Sequence, residues 1–171
     1  MEKYLRLYAE PEAAALGGIP QRSSWSHVLV IPACNERSAL LRPPPVCAGR
    51  SLLILVVNQS VGASAEVSAA NQALAEAVRD RFEPVWHSDP SVNAPAIAGL
   101  QLFSDQKSPR DVLLVDRFGP GRELPLKGGV GHARKIGADL ATALIHRGLV
   151  QSPWIHCSDG DVELPATYFE V

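Results

Sequence analysis

Apolar and polar positions along the chain fall into two recurring patterns. Short runs rich in β-branched residues alternate with longer stretches of helical period. "SHVLVIPACNE" carries an apolar run from His27 to Ile31, stopped at Pro32, and reads as a buried strand opening into a loop. "SLLILVVNQS" repeats the pattern from Leu52 to Val57 and ends in Asn58-Gln59-Ser60. "EPVWH", "DVLLVDR" and "SPWIHCSDGD" supply further strands, the last running directly into Asp159 and Asp161.

Between the strands, Val67, Ala70, Leu74, Val78 and Phe82 recur at helical spacing, with Glu66 in the first turn where the helix dipole favours an acid. Ser60 is a candidate cap for this helix. A second helix is predicted over "ARKIGADLATALIHRGL", with Ala133, Ile136, Leu140, Leu144 and Ile145 on one face and Gly148 at its end. "RSALLR" opens a helix that Pro43 to Pro45 must cut short, because proline lacks the amide donor. The stretch from Ser88 to Arg110 is expected to be mostly loop, with one weak patch near Ile97 to Phe103. Residues 1–25 are set off by "GGIP" and are expected to form a loosely held extension.

Strands alternating with helices predict an α/β fold: a Rossmann-like, mostly parallel sheet with helices on both faces, over residues 26–171. In such sheets ligands bind beyond the strand C-terminal ends. Asn35-Glu36, Asn58-Gln59-Ser60 and Asp159-Gly160-Asp161 fall at those ends.

Composition narrows the function classes. The chain has 171 residues, 46% of them hydrophobic, enough for one packed domain. A net charge of −2 supplies no cationic field for phosphate backbones, so a nucleic-acid partner is not expected. Cys34, Cys47 and Cys157 show no metal or disulfide spacing and fit reduced thiols, and no apolar run is long enough to span a bilayer. A cytoplasmic location is expected. His156 and Cys157 are neighbours on a strand and point to opposite faces, which argues against a shared zinc and for a core thiol. Trp86 and Trp154 are expected to anchor the core.

Two clusters carry candidate chemistry. Carboxylates one glycine apart, as in Asp159 and Asp161, sit in a solvated turn or share a hard divalent cation such as Mg²⁺ or Mn²⁺. Gly128, Gly129 and Gly131 precede a helix whose free amides favour an anion, and Lys127 and Arg134 add charge. The alternative is a tight loop bearing solvated cations.

In chain order, "VLVIPACNE", "LVVNQS", "KGGVGHARKIGADLA" and "CSDGDVELP" resemble four segments of the family 2 glycosyltransferases of GT-A fold. The first matches the family's V-I-P-A-Y-N-E strand, the second a strand usually ending V-D-D-G-S, the third its glycine-bearing A-R-x-x-G helix and the fourth its D-x-D turn. The resemblance implies a nucleotide-diphospho-sugar donor held by Pro32, Asn35, Glu36, Asn58, Lys127, Gly128, Gly131, Arg134 and Asp159. It also implies a divalent metal on Asp159 and Asp161 and an inverting transfer to a hydroxyl acceptor. Two departures stand out. Asn58 replaces an aspartate that receives the base N–H, and the chain stops at Val171, before the family's acceptor region and catalytic base, so the fold is expected to be truncated. A non-catalytic nucleotide- or partner-binding module is the alternative reading.

Overall fold

The computed structural model describes residues 1–20, 24–42, 48–89 and 99–169. Helix α1 spans Glu2–Leu7, followed by a 3-10 turn at Pro11–Ala15. Strand β1 is His27–Ala33 and β2 is Ser51–Asn58, with a 3-10 turn at Ser38–Leu41 between them. Helix α2 (Ala65–Arg81), strands β3 (Glu83–His87), β4 (Leu100–Ser104) and β5 (Arg110–Arg117), helix α3 (Gly129–His146) and strand β6 (Ile155–Cys157) complete the chain. Pro43 to Pro45 and Cys47 lie outside the described residues, as does Ile97 in the weak patch that continues into β4.

The six strands form one sheet in the order β3-β4-β5-β2-β1-β6. β5, β2, β1 and β6 are parallel, while β4 runs antiparallel to both β3 and β5. The sheet is therefore mixed, with a parallel centre and an antiparallel hairpin at one edge.

Continuous apolar runs in β1, β2 and β5 are explained by two cores. Val28, Val30, Leu52, Ile54 and Val56 meet Ile136, Leu140 and Leu144 of α3 on one face. Leu29, Ile31, Leu53, Leu55 and Val57 meet Leu74, Val78 and Phe82 on the other. Alternate residues of one strand thus serve opposite layers. Each fully buried leucine contributes about 1.5–3 kcal/mol.

Gly137 sets how closely α3 approaches the sheet. A Cβ there would lie 2.3 Å from Val30 Cγ1. Helix α2 begins at Ser64, whose Oγ accepts the Val67 N–H, so Ser64 rather than Ser60 is the cap.

The N-terminal stretch differs from the loosely held extension expected from "GGIP". Leu16, Ile19 and Trp25 belong to the α3-side core. Tyr4 Oη donates to Asp139 at 2.7 Å, the Glu10 N–H donates to the same carboxylate at 2.8 Å, and Lys135 Nζ lies 2.7 Å from it. Glu12 is buried 3.1 Å from Arg117. Breaker residues show where a chain turns; they do not show whether it packs again afterwards.

Candidate functional site

Because β1, β2, β5 and β6 are parallel, their C-terminal ends share one rim. Two groups of side chains bear on the candidate chemistry.

The first group lies where β1 and β2 end. Asn71 of α2 is fully buried, and its Oδ1 accepts the Asn35 N–H at 2.9 Å. Its Nδ2 donates to the Asn58 carbonyl at 2.9 Å and to Gln59 Oε1 at 3.3 Å. Asn58 Nδ2 donates to the Ala33 carbonyl at 3.0 Å and to the Val56 carbonyl at 3.2 Å. Asn35 itself adopts φ +60°, a left-handed conformation that asparagine tolerates better than most residues. Pro32 is buried in β1 opposite Val56. These residues join the two strand ends to α2, and the Asn58 side-chain donor points inward to the backbone.

The second group lies where β6 ends. Asp159 is exposed and pairs with Arg134 at 2.5 Å. Asp161 is exposed and makes no hydrogen bond or ion pair among the described residues. Glu36 arrives from the end of β1. A Cβ on Gly160 would lie 3.1 Å from Glu36 Cδ, so the acid packs over the turn. Glu36 from β1, Arg134 from α3 and Asp159 from the end of β6 thus meet at one turn, of which Asp161 is the next acidic residue. No set of three His, Cys, Asp or Glu side chains is arranged to hold a cation unaided among the described residues.

Gly128 is the N-cap of α3 and donates its N–H to the Pro125 carbonyl at 2.7 Å. Gly129, Gly131 and Lys127 are exposed, and no hydrogen bond or ion pair joins Lys127 to the acidic turn among the described residues. Arg134 lies three residues beyond Gly131, on the adjoining face of the same helix. The structure therefore pairs Arg134 with Asp159, sets Glu36 against Gly160, the neighbour of Asp161, and joins Asn35 and Asn58 through Asn71, while no hydrogen bond or ion pair links Lys127 to any of them among the described residues.

Two expectations are corrected. Cys157 is an exposed thiol, because β6 is the edge strand and only three residues long. Trp154 is 71% exposed, since it precedes that strand and is not covered by the described residues. Trp86 is half-buried against the α3-side core. Neither described cysteine is activated. Burial and the neighbouring Glu36 push the Cys34 thiol up, and burial raises Cys157 against the pull of Arg134.

Sequence reasoning missed Asn71 and Asp116. Asn71 follows Val67 by four residues and precedes Leu74 by three, so an amide on the apolar stripe was its signal. Asp116 Oδ1 accepts the N–H groups of Phe118 and Gly119, and its Oδ2 meets Arg122 at 2.7 Å, shaping the end of β5. Beneath the acidic turn, His27 and His156 pack against Phe169, with ring centroids 4.8 and 5.0 Å from it. Comparison of the chain with protein-family models, with curated proteins and with solved structures finds no match.

Proposed function

We propose that the chain is the donor-binding domain of a nucleotide-diphospho-sugar-dependent glycosyltransferase. The observation that carries this reading is the meeting of Arg134 with Asp159 beside Asp161 and Glu36 at the rim of the parallel strands. An arginine is suited to phosphate oxygens, and exposed carboxylates one residue apart are suited to a hard cation. Mg²⁺ and Mn²⁺ fit this donor set. They take one or two carboxylates and complete their coordination with water and phosphate, so three protein acids in place beforehand are not required. Asp159 and Asp161 would hold the ion, which neutralises charge on a departing diphosphate when bound.

Within the unliganded protein Arg134 and Asp159 neutralise each other. A diphosphate meeting Arg134 leaves Asp159 available to the cation. Asn35 and the rigid β1 and β2 ends supply a wall for the nucleoside. Titration calorimetry with UDP and with GDP in the presence of Mn²⁺ tests the reading. Metal-dependent binding of either diphosphate, lost in Asp161→Ala, is expected, and binding of neither rejects it.

The inward direction of the Asn58 donor favours a second reading, a non-catalytic relative that retains the ligand-binding rim. Turnover of a sugar nucleotide by this chain, abolished in Asp161→Ala, excludes that alternative.

A further inference from the structure

We propose that the base of the bound nucleotide is guanine, read by Glu123 and Gln59 in a cleft at the ends of β2 and β5; this deepens the nucleotide-diphosphate reading and rests on it. The cleft has a volume of about 350 Å³, enough for a purine, and Phe118 and Pro120 are among the residues lining it. Gln59 and Glu123 line it too. The backbone sets them side by side, because the N–H of Leu124, the residue after Glu123, donates to the Gln59 carbonyl at 2.8 Å. β2, β5 and β6 end on the same rim, and three strand spacings, about 14 Å, separate β5 from β6. An extended nucleoside diphosphate spans that distance, so a base in the cleft leaves its phosphates at Arg134 and the acidic turn.

Both polar groups are positioned with hydrogen-bonding capacity unused. Gln59 is only 8% exposed, and its Oε1 accepts from Asn71 Nδ2 at 3.3 Å. That bond orients the amide and leaves Nε2, a double donor, without a partner among the described residues. Glu123 is half-buried and makes no hydrogen bond or ion pair among the described residues. The adjacent cation does not neutralise it, because Arg122 is committed to Asp116 at 2.7 Å. Asp116 also accepts the Phe118 and Gly119 N–H groups at 3.1 and 2.8 Å, so the loop carrying Glu123 is braced before a ligand arrives.

An oriented amide donor beside a free carboxylate discriminates among bases. Guanine alone of the common bases presents two adjacent N–H donors, at N1 and N2, followed on the same edge by an acceptor, O6. The two donors satisfy both oxygens of Glu123, and O6 receives Gln59 Nε2. Uracil offers the carboxylate a single N–H flanked by two carbonyls, so its second oxygen faces an acceptor. Adenine and cytosine offer one amino group beside an unprotonated ring nitrogen, which repels that second oxygen in the same way. Water meets these groups in the free protein, and guanine replaces it with a bidentate, charge-assisted pair.

The test uses the full chain with Mn²⁺ and compares GDP, inosine diphosphate, UDP, ADP and CDP by titration calorimetry, in the unaltered protein and in Glu123→Gln. Inosine diphosphate differs from GDP only in lacking the 2-amino group. Expected are a Kd for GDP at least about tenfold below that of each other diphosphate, and loss of that preference in Glu123→Gln. Binding of UDP, ADP or CDP as tight as that of GDP overturns the base assignment while the donor-domain reading stands. Equal binding of GDP and inosine diphosphate does the same without any variant, as does a GDP preference that survives Glu123→Gln. Binding of no diphosphate rejects both.

Discussion

The two halves of the rim differ in how their polar groups are satisfied. At the ends of β1 and β2, Asn71, Asn58 and the Asn35 backbone form a buried lattice whose donors meet protein acceptors. At the end of β6, Asp161 is solvated and Asp159 is held by one exposed ion pair. Buried networks are costly to break, whereas exposed pairs contribute little to stability. One half is a buried scaffold, and the other is open to solvent.

The contrast is broken most severely at Asn71. Asn71→Leu leaves the Asn35 N–H and the Asn58 carbonyl without their buried partner, at a cost of about 3 kcal/mol. Urea denaturation should show the loss as a lower midpoint. Gly137→Ala comes next. It forces a methyl against Val30 and displaces the helix that carries Arg134, costing about 2 kcal/mol by overpacking. The same denaturation series measures it, and weaker nucleotide binding should accompany it.

Asp159→Ala sharpens the comparison from the other side. Stability should change by less than about 1 kcal/mol, because the pair with Arg134 is solvent-screened. Calorimetry with Mn²⁺ and a nucleotide diphosphate should nevertheless lose its signal. The smallest effect is expected from pH. Burial, with His27 close by, lowers the His156 pKa, so the folded chain disfavours the proton that the unfolded chain takes up. Its contribution is complete above the unfolded pKa of about 6.5 and declines as pH falls below that value. A Tm series from pH 8 to pH 5 should show the decline, and His156→Phe should flatten it.

Most of the sheet was legible in the sequence because β1, β2 and β5 are buried on both faces and therefore read as unbroken apolar runs. Both long helices were legible from their single apolar stripes. What escaped depends on long-range pairing. "EPVWH" reads as a strand and is β3, but β4 is short, mixed in polarity and lies in a stretch read mostly as loop, and its antiparallel pairing with β3 and β5 has no local signal. Residues 1–20 pack through Tyr4, Glu10 and Glu12 onto partners more than a hundred residues away, which no local pattern reveals. Within the site, the acidic turn and Arg134 were visible as residue types at strand and helix ends. The packing of Glu36 over Gly160 was not, because it depends on β1 and β6 being neighbours. Asn71 sat in plain view on an apolar stripe, where a polar residue signals a buried network.

The most direct measurement is paramagnetic broadening of backbone amide signals by Mn²⁺, recorded with and without a nucleotide diphosphate. Broadening centred on Asp159 to Val162, reaching Glu36 and Arg134 and strengthened by the nucleotide, is the expected result. Broadening elsewhere, or none at saturating metal and nucleotide, contradicts the assignment of this rim as a cation–diphosphate site.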